Sequence, residues 1–179
     1  KGNAVACTET INTSFGSFVV EPRFGIVLNN EMDDFAARPG KPNAFGLVQS
    51  EKNAVGPRHK PLSSMTPTIA VRDGKAVFAL GASGGPRIIS TTLQVLLNLS
   101  RFEMDPEEAV TRPRAHHQWL PNELYLEPKL MKTTQAAMKK RQHTVKSRKA
   151  LAVCQVVAAT RDGLKAKSDP RKHGQAAGY

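Results

Sequence analysis

Apolar and polar residues alternate from Ala4 to Ile11, which predicts a strand, and Asn12-Thr13-Ser14-Phe15-Gly16-Ser17 breaks the pattern as a loop. Phe24-Gly25-Ile26-Val27-Leu28 reads as a second strand that runs into the polar cluster Asn29-Asn30-Glu31-Met32-Asp33-Asp34-Phe35. Periodicity is then lost from Ala37 to Leu62, where Pro39, Gly40, Pro42, Gly46, Gly56, Pro57 and Pro61 predict a long loop. Loops of that length inside compact domains are more often functional than idle. Thr68–Val71 and Ala76–Leu80 flank Arg72-Asp73-Gly74-Lys75, the signature of a hairpin.

Helical spacing takes over after the glycine pair. Ile88, Ile89, Leu93, Leu96 and Leu97 follow Pro86, which suits the first position of a helix. Asp105-Pro106-Glu107-Glu108 announces a second helix, with Asp105 as its cap, Pro106 at its first position, Glu108 completing a capping box, and an end near Arg112-Pro113. A helix over Thr134–Arg141, a strand over Ala150–Thr160, a turn at Arg161-Asp162-Gly163 and a short strand over Leu164–Lys167 complete the pattern. Hairpins mixed with helices, with no internal repeat, predict an α+β fold in one domain over residues 1–179.

Composition changes this picture in one place. Residues 1–128 contain thirteen basic and thirteen acidic side chains, whereas 129–179 contain thirteen basic and two acidic ones, so the whole net charge of +11 belongs to the last segment. That segment, 129–179, is the basic C-terminal part of the same domain. Tyr179 is the only aromatic residue after Tyr125, so no stacking platform for bases accompanies the charge, and a solvated or subunit-facing surface is expected ahead of nucleic-acid binding. With 40% hydrophobic residues the chain has no apolar run of membrane-spanning length. Cys7 and Cys154 each lie in apolar stretches and make no disulfide framework. Lys1-Gly2-Asn3-Ala4-Val5 reads as a turn and strand start rather than a signal peptide.

Three clusters carry chemistry. Gly81-Ala82-Ser83-Gly84-Gly85-Pro86 lies between a strand and a helix, where backbone N–H groups freed of Cβ can converge on an anionic oxygen; its plain alternative is close strand–helix packing. Pro61-Leu62-Ser63-Ser64-Met65 offers two hydroxyls, and the 29–35 cluster offers carboxylates and amides. Together they suit an amino acid gripped at both its ammonium and its carboxylate. His116 and His117 are adjacent, so their side chains diverge, and no other ligand stands at metal-site spacing; a structural role is expected.

Thr8-Glu9-Thr10-Ile11-Asn12, Asn29–Phe35, Pro61-Leu62-Ser63-Ser64-Met65-Thr66-Pro67-Thr68, Gly84-Gly85 and His116-His117-Gln118-Trp119-Leu120-Pro121 occur in the order that resembles the small subunit of γ-glutamyltranspeptidase (glutathione hydrolase). The resemblance continues to Ser168-Asp169-Pro170-Arg171-Lys172 and Ala177-Gly178-Tyr179 and is weakest between Lys129 and Leu151. It implies the four-layer αββα sandwich of the N-terminal-nucleophile hydrolases. It further implies γ-glutamyl transfer from, or hydrolysis of, glutathione and related amides through a γ-glutamyl-Thr ester. No metal or organic cofactor is implied.

By the same resemblance Gly84 and Gly85 form the oxyanion hole and Thr10 orients the nucleophile. Glu31 and Asp34 hold the substrate ammonium, Ser63 and Ser64 its carboxylate, Asn12 bonds the same head group, and Phe45 belongs to a lid. Pro86 stands where the family usually has a small hydroxyl residue, which removes a third N–H and leaves the two glycine donors. The nucleophilic Thr is expected a short distance upstream of Lys1, which cannot replace it. The implied partners are a large subunit from the same precursor, which adds an arginine to the carboxylate clamp, a γ-glutamyl donor, and an amino acid, dipeptide or water as acceptor. The implied address is periplasmic or extracellular. A non-catalytic homologue lacking the large subunit, a relative acting on other amides, and a basic nucleic-acid-binding module are the alternatives.

Overall fold

A computed structural model describes residues 2–178; Lys1 and Tyr179 lie outside the described residues. The chain forms two compact units, Glu9–Ser63 and the residues on either side of that segment. The predicted strand over Ala4–Ile11 does not form. Ala4, Ala6 and Thr8 are half-buried and Val5, Cys7 and Glu9 exposed, as the alternation requires, yet no described strand pairs with them. Alternation sets the direction of side chains, whereas a strand also needs a neighbour's ladder.

The Glu9–Ser63 unit is mostly irregular. Val20–Glu21 (β1) and Ile26–Val27 (β2) pair antiparallel, Val20 opposite Val27. Phe24-Gly25, expected within the second strand, instead belong to the turn ahead of β2. Single 3-10 turns follow at Glu31–Asp34 and Glu51–Asn53, and a lone bridge joins Pro42 to Val48 across the predicted long loop. Phe35 and Ala36 are the buried hydrophobic residues of this unit, while Phe15, Phe18, Val20, Phe24 and Ile26 are exposed.

The other unit is built on an antiparallel sheet in the order Thr68–Arg72 (β3), Lys75–Ser83 (β4), Val153–Thr160 (β8) and Gly163–Lys167 (β9). Asp73 and Gly74 connect β3 to β4 with φ of 51° and 74°, the two left-handed residues that a type I′ hairpin requires. Arg87–Ser100 (α1) and Pro106–Thr111 (α2) cover one face, where Leu80, Ala82, Cys154 and Val156 meet Ile88, Val95, Leu99, Ala109 and Val110. Full burial of each larger aliphatic here is worth about 1.5–3 kcal/mol. Burial also pushes the Cys154 thiol up to about 11. On the opposite face Ile69, Ala79, Val157 and Ala166 line up in register across all four strands, and Ile69, Val157 and Leu164 are exposed.

Sequence expectations at the helix ends are met unevenly. The Asp105 carboxylate accepts from the Glu108 N–H at 2.9 Å, but Glu108 pairs with Arg112, so only half of the capping box forms. Pro86 precedes α1 as its cap residue, with helical φ and ψ, instead of occupying its first turn. The third helix, Pro128–Lys140 (α3), starts six residues before the expected Thr134, because Glu127-Pro128 is itself a helix-start signal. It links Leu124–Leu126 (β6) to the parallel strand Val145–Ser147 (β7), and Ala115–His116 (β5) pairs antiparallel with β6 on the other side. Every Lys and Arg between residues 129 and 149 is exposed.

A buried charge cluster joins these pieces. Arg114 Nη1 lies 2.7 Å from Asp169 Oδ2; Arg171 pairs with Asp169 at 3.0 Å and with Glu127 at 2.5 Å. Two cations and two anions cancel, and main-chain groups take up much of the remaining capacity: Arg114 donates to Val110 and Ala152 carbonyls, and Asp169 accepts from the N–H groups of Cys154 and Arg171. Burial alone would raise the Asp169 carboxyl, but Arg114 and those N–H donors hold it below its ordinary 3.8. Arg114→Ala leaves Asp169 buried beside a single cation and is expected to cost about 3–5 kcal/mol, read from the denaturant midpoint. The Asp169 contribution is complete above the ordinary aspartate range and is lost as pH falls through the lowered value.

Candidate active site

The acidic turn is assembled from asparagines. Asn29 Oδ1 accepts from the Glu31 N–H at 3.0 Å, and the Asn30 carbonyl accepts from Asp33 N–H at 3.0 Å, which fixes the 3-10 turn Glu31–Asp34. Asn30 also reaches back to the first loop: its side-chain oxygen accepts from Thr13 N–H at 3.1 Å and its carbonyl from Asn12 Nδ2 at 3.1 Å. Asn12 has φ 73°, a left-handed conformation that asparagine tolerates, and its N–H donates to Thr10 Oγ1 at 2.8 Å. Thr10, Asn12, Glu31 and Asp34 thus belong to one bonded cluster within one unit.

Electrostatically the turn is unfinished. Glu31 and Asp34 hydrogen-bond each other through their side chains. Glu31 is raised above its ordinary 4.5 by burial, by repulsion from Asp34 and by that bond; Asp34 is raised above 3.8 by burial, with Asp33 adding repulsion and the Glu31 bond opposing it. The second Glu31 oxygen, Oε1, is buried and finds no hydrogen-bond partner among the described residues. Two adjacent carboxyls that repel each other when ionised, plus a buried acceptor with no partner among the described residues, form a site that a cation with several N–H donors would complete.

Asn53 extends the cluster. Its Nδ2 donates to the Asp34 carbonyl at 2.7 Å and to Gln49, its carbonyl accepts from Ala36 N–H, and its Oδ1 accepts from Leu62 N–H at 3.0 Å. That places the acidic turn and the approach to Ser63 on one side chain. Ser63 is exposed and is the last residue of this unit, whereas Ser64 is half-buried and belongs to the other.

Residues 40–49 form a closed loop, in which Gly40 N–H donates to the Gln49 carbonyl and Asn43 Oδ1 accepts from Phe45 and Leu47 N–H groups. Phe45, expected in a lid, is half-buried within it. A cleft of about 500 Å³ lies against the loop base, lined among others by Asp33, Phe35, Arg38, Lys41 and Leu47. Asn30 belongs to the amide-rich cluster that the sequence singles out, whereas Asn53 carries no local signal and is marked only by its bonds to the acidic turn and the loop.

The glycine corner lies in the other unit. β4 runs three residues beyond Leu80, to Ser83, so the corner is Gly84-Gly85-Pro86 alone. Gly84 has φ 146°, and a Cβ there would come within 2.8 Å of Ala152 Cβ and 3.1 Å of Ala152 Cα. Both its conformation and its packing therefore require glycine. Gly85 has φ 61°, and its carbonyl accepts from Ile88 N–H at 2.9 Å, opening α1.

His116 is buried with both ring nitrogens engaged: Nδ1 lies 2.8 Å from Ser90 Oγ and Nε2 2.9 Å from Gln118 Oε1. Burial lowers its pKa, and the Gln118 bond opposes this only in part, so the ring is a neutral tie between α1 and β5. His117 is exposed and meets Asn122 at 3.1 Å.

The sequence profile of the family described as Gamma-glutamyltranspeptidase matches residues 1–179. The chain is 47% identical over 171 residues to the glutathione hydrolase proenzyme of Escherichia coli (strain K12), covering 95% of this chain and 30% of that one. Among solved structures it resembles γ-glutamyltranspeptidase from Pseudomonas nitroreducens complexed with L-DON, at 39% identity and a TM-score of 0.93, covering 99% of this chain and 94% of that chain. The T380A mutant of Helicobacter pylori γ-glutamyltranspeptidase is similar at 40% identity and a TM-score of 0.90, covering 96% and 95%. The chain thus spans less than a third of the E. coli proenzyme but nearly the whole of each solved subunit chain.

Gly84→Ala is expected to destabilise the fold by about 1–3 kcal/mol, since it combines a disfavoured φ with a contact that a Cβ cannot make. Thermal denaturation measures it.

Proposed function

Because this chain belongs to the γ-glutamyltranspeptidase family and has the N-terminal-nucleophile hydrolase fold, we propose that it is the small subunit of an enzyme that transfers the γ-glutamyl group of glutathione or related γ-glutamyl amides to water, an amino acid or a dipeptide. The observation that carries this reading is the acidic turn: Glu31 and Asp34 hydrogen-bond each other with both carboxyls raised above their ordinary values, and Glu31 Oε1 is buried with no partner among the described residues. The α-ammonium of a γ-glutamyl donor supplies what is missing, a positive charge and three donors. Asn12 bonds the same head group, and Ser63 and Ser64 take its carboxylate with an arginine from the large subunit.

At the other end of the donor, an N-terminal Thr ahead of the described residues attacks the γ-carbonyl through its hydroxyl, and its own α-amine takes the proton, with Thr10 orienting it. The carbonyl oxygen becomes an oxyanion that the Gly84 and Gly85 N–H groups stabilise; one such donor is typically worth about 3–4 kcal/mol. The amine leaves with the proton, and water or an acceptor amine then cleaves the γ-glutamyl ester. Phe45 and the 40–49 loop cover the bound donor.

The partner is the remainder of the same precursor. The apolar row Ile69, Ala79, Val157 and Ala166 is the second face of a sheet whose first face is already filled, and the E. coli relative is more than three times the length of the matched segment. A second sheet laid on that row completes the four layers. The enzyme acts in the periplasm or outside the cell, and no helix of the described residues is long and apolar enough to cross a membrane.

The mature two-chain enzyme is expected to hydrolyse a γ-glutamyl anilide; absence of hydrolysis would overturn this reading. Asp34→Ala should raise the KM for that donor about 10- to 100-fold, the equivalent of roughly 1.5–3 kcal/mol of hydrogen bonding to a charged group. Ammonium binding needs the pair ionised, so KM should climb on acidification at a pH above the ordinary 4.5 of a glutamate, because both carboxyls are raised.

A further inference from the structure

We infer that Glu127 is a positioning residue for the Gly84–Gly85 corner, an inference that rests on the oxyanion role proposed above. Glu127 is only 4% exposed, and its carboxylate accepts from Leu151 N–H at 3.0 Å, Arg114 N–H at 3.1 Å and Arg171 Nε at 2.8 Å. Arg114, held in turn, donates Nη1 to the Ala152 carbonyl at 3.0 Å. The short segment Leu151-Ala152 is therefore fixed at an N–H by one member of the charge cluster and at a C=O by another.

That segment touches the corner in two places. Ala152 lies just beyond the last rung of the β4–β8 ladder, Ser83 opposite Val153, so its Cβ and Cα meet Gly84, where a Cβ would stand 2.8 Å away. The Leu151 carbonyl accepts from Arg87 Nε at 2.5 Å, and Arg87 opens α1 two residues after Gly85. Leu151-Ala152 thus brackets the corner from the strand side and from the helix side. Oxyanion donors act only when aimed within a fraction of an ångström, so a shift of this bracket turns the two N–H groups away from the developing charge. It leaves Glu31 and Asp34, bonded within the other unit, as they are.

The test uses the mature two-chain enzyme, with active sites counted by the burst of anilide hydrolysis and a γ-boronate analogue of glutamate as a probe that forms a tetrahedral adduct. Glu127→Gln keeps the shape but sets an amide donor among donors. It should lower kcat per site about tenfold to a hundredfold, leave KM for the anilide within about twofold, and weaken the boronate by the same factor as kcat. Ala152→Gly removes the Cβ that meets Gly84 without removing a polar group, and should lower both about threefold. A merely structural role reduces the number of active sites without moving either per-site value. Gly84→Ala is the reference: an unimpaired Gly84→Ala enzyme would overturn the oxyanion role and this inference with it. If Gly84→Ala is impaired while Glu127→Gln and Ala152→Gly both keep kcat per site and boronate affinity within about twofold, the inference alone is overturned. Should Glu127→Gln fail to assemble, Ala152→Gly decides.

Discussion

Three buried charged side chains, Arg114, Glu127 and Asp169, together with the half-buried Arg171, set the architecture of the larger unit. Burying any one of them alone would be costly, and together they are tolerable only because the two cations and two anions neutralise each other and bond main-chain groups from every element that meets there. The cluster draws the C-terminal segment onto α2, the end of β6, and the entry to β8. Through Leu151-Ala152 it reaches the glycine corner. Apolar packing of α1 and α2 on the sheet supplies the bulk of the burial, but direction comes from the polar cluster, since hydrophobic contact is indifferent to small rotations.

The smaller unit works by the opposite device. Where the Arg114 cluster is balanced, Glu31 and Asp34 are two acidic groups held together by the 3-10 turn, by Asn29 and Asn30, and by the hydrogen bond between them. A balanced cluster stabilises a fold; an unbalanced one stores a demand for a ligand. The irregular backbone of Glu9–Ser63 follows from this: asparagine side chains, in place of ladders, fix the loops that present the carboxylates.

Local chemistry was readable in the sequence where one or two residues decide the outcome. Asp73-Gly74 dictated the hairpin, Asp105-Pro106 the start of α2, and the spacing of Ile88, Leu93 and Leu96 the run of α1. What could not be read depends on partners distant in the chain. Ala4–Ile11 has the alternation of a strand but pairs with no described strand, and α3 begins at Pro128, ahead of the expected Thr134, because Glu127-Pro128 opens the helix. The clusters around Asn12, Glu31, Asp34, Ser63, Ser64, Gly84 and Gly85 stood out as a family pattern. Glu127 and Arg114 did not, because nothing in a local window tells a buried charge from a solvated one.

The most direct measurement is a crystal structure of the mature two-chain enzyme with a γ-glutamyl donor analogue bound. It should show the ammonium between Glu31 and Asp34 and the γ-carbonyl oxygen about 3 Å from the N–H groups of Gly84 and Gly85. A donor bound with its ammonium away from these carboxylates, or with its carbonyl oxygen facing other donors, would contradict the assignment.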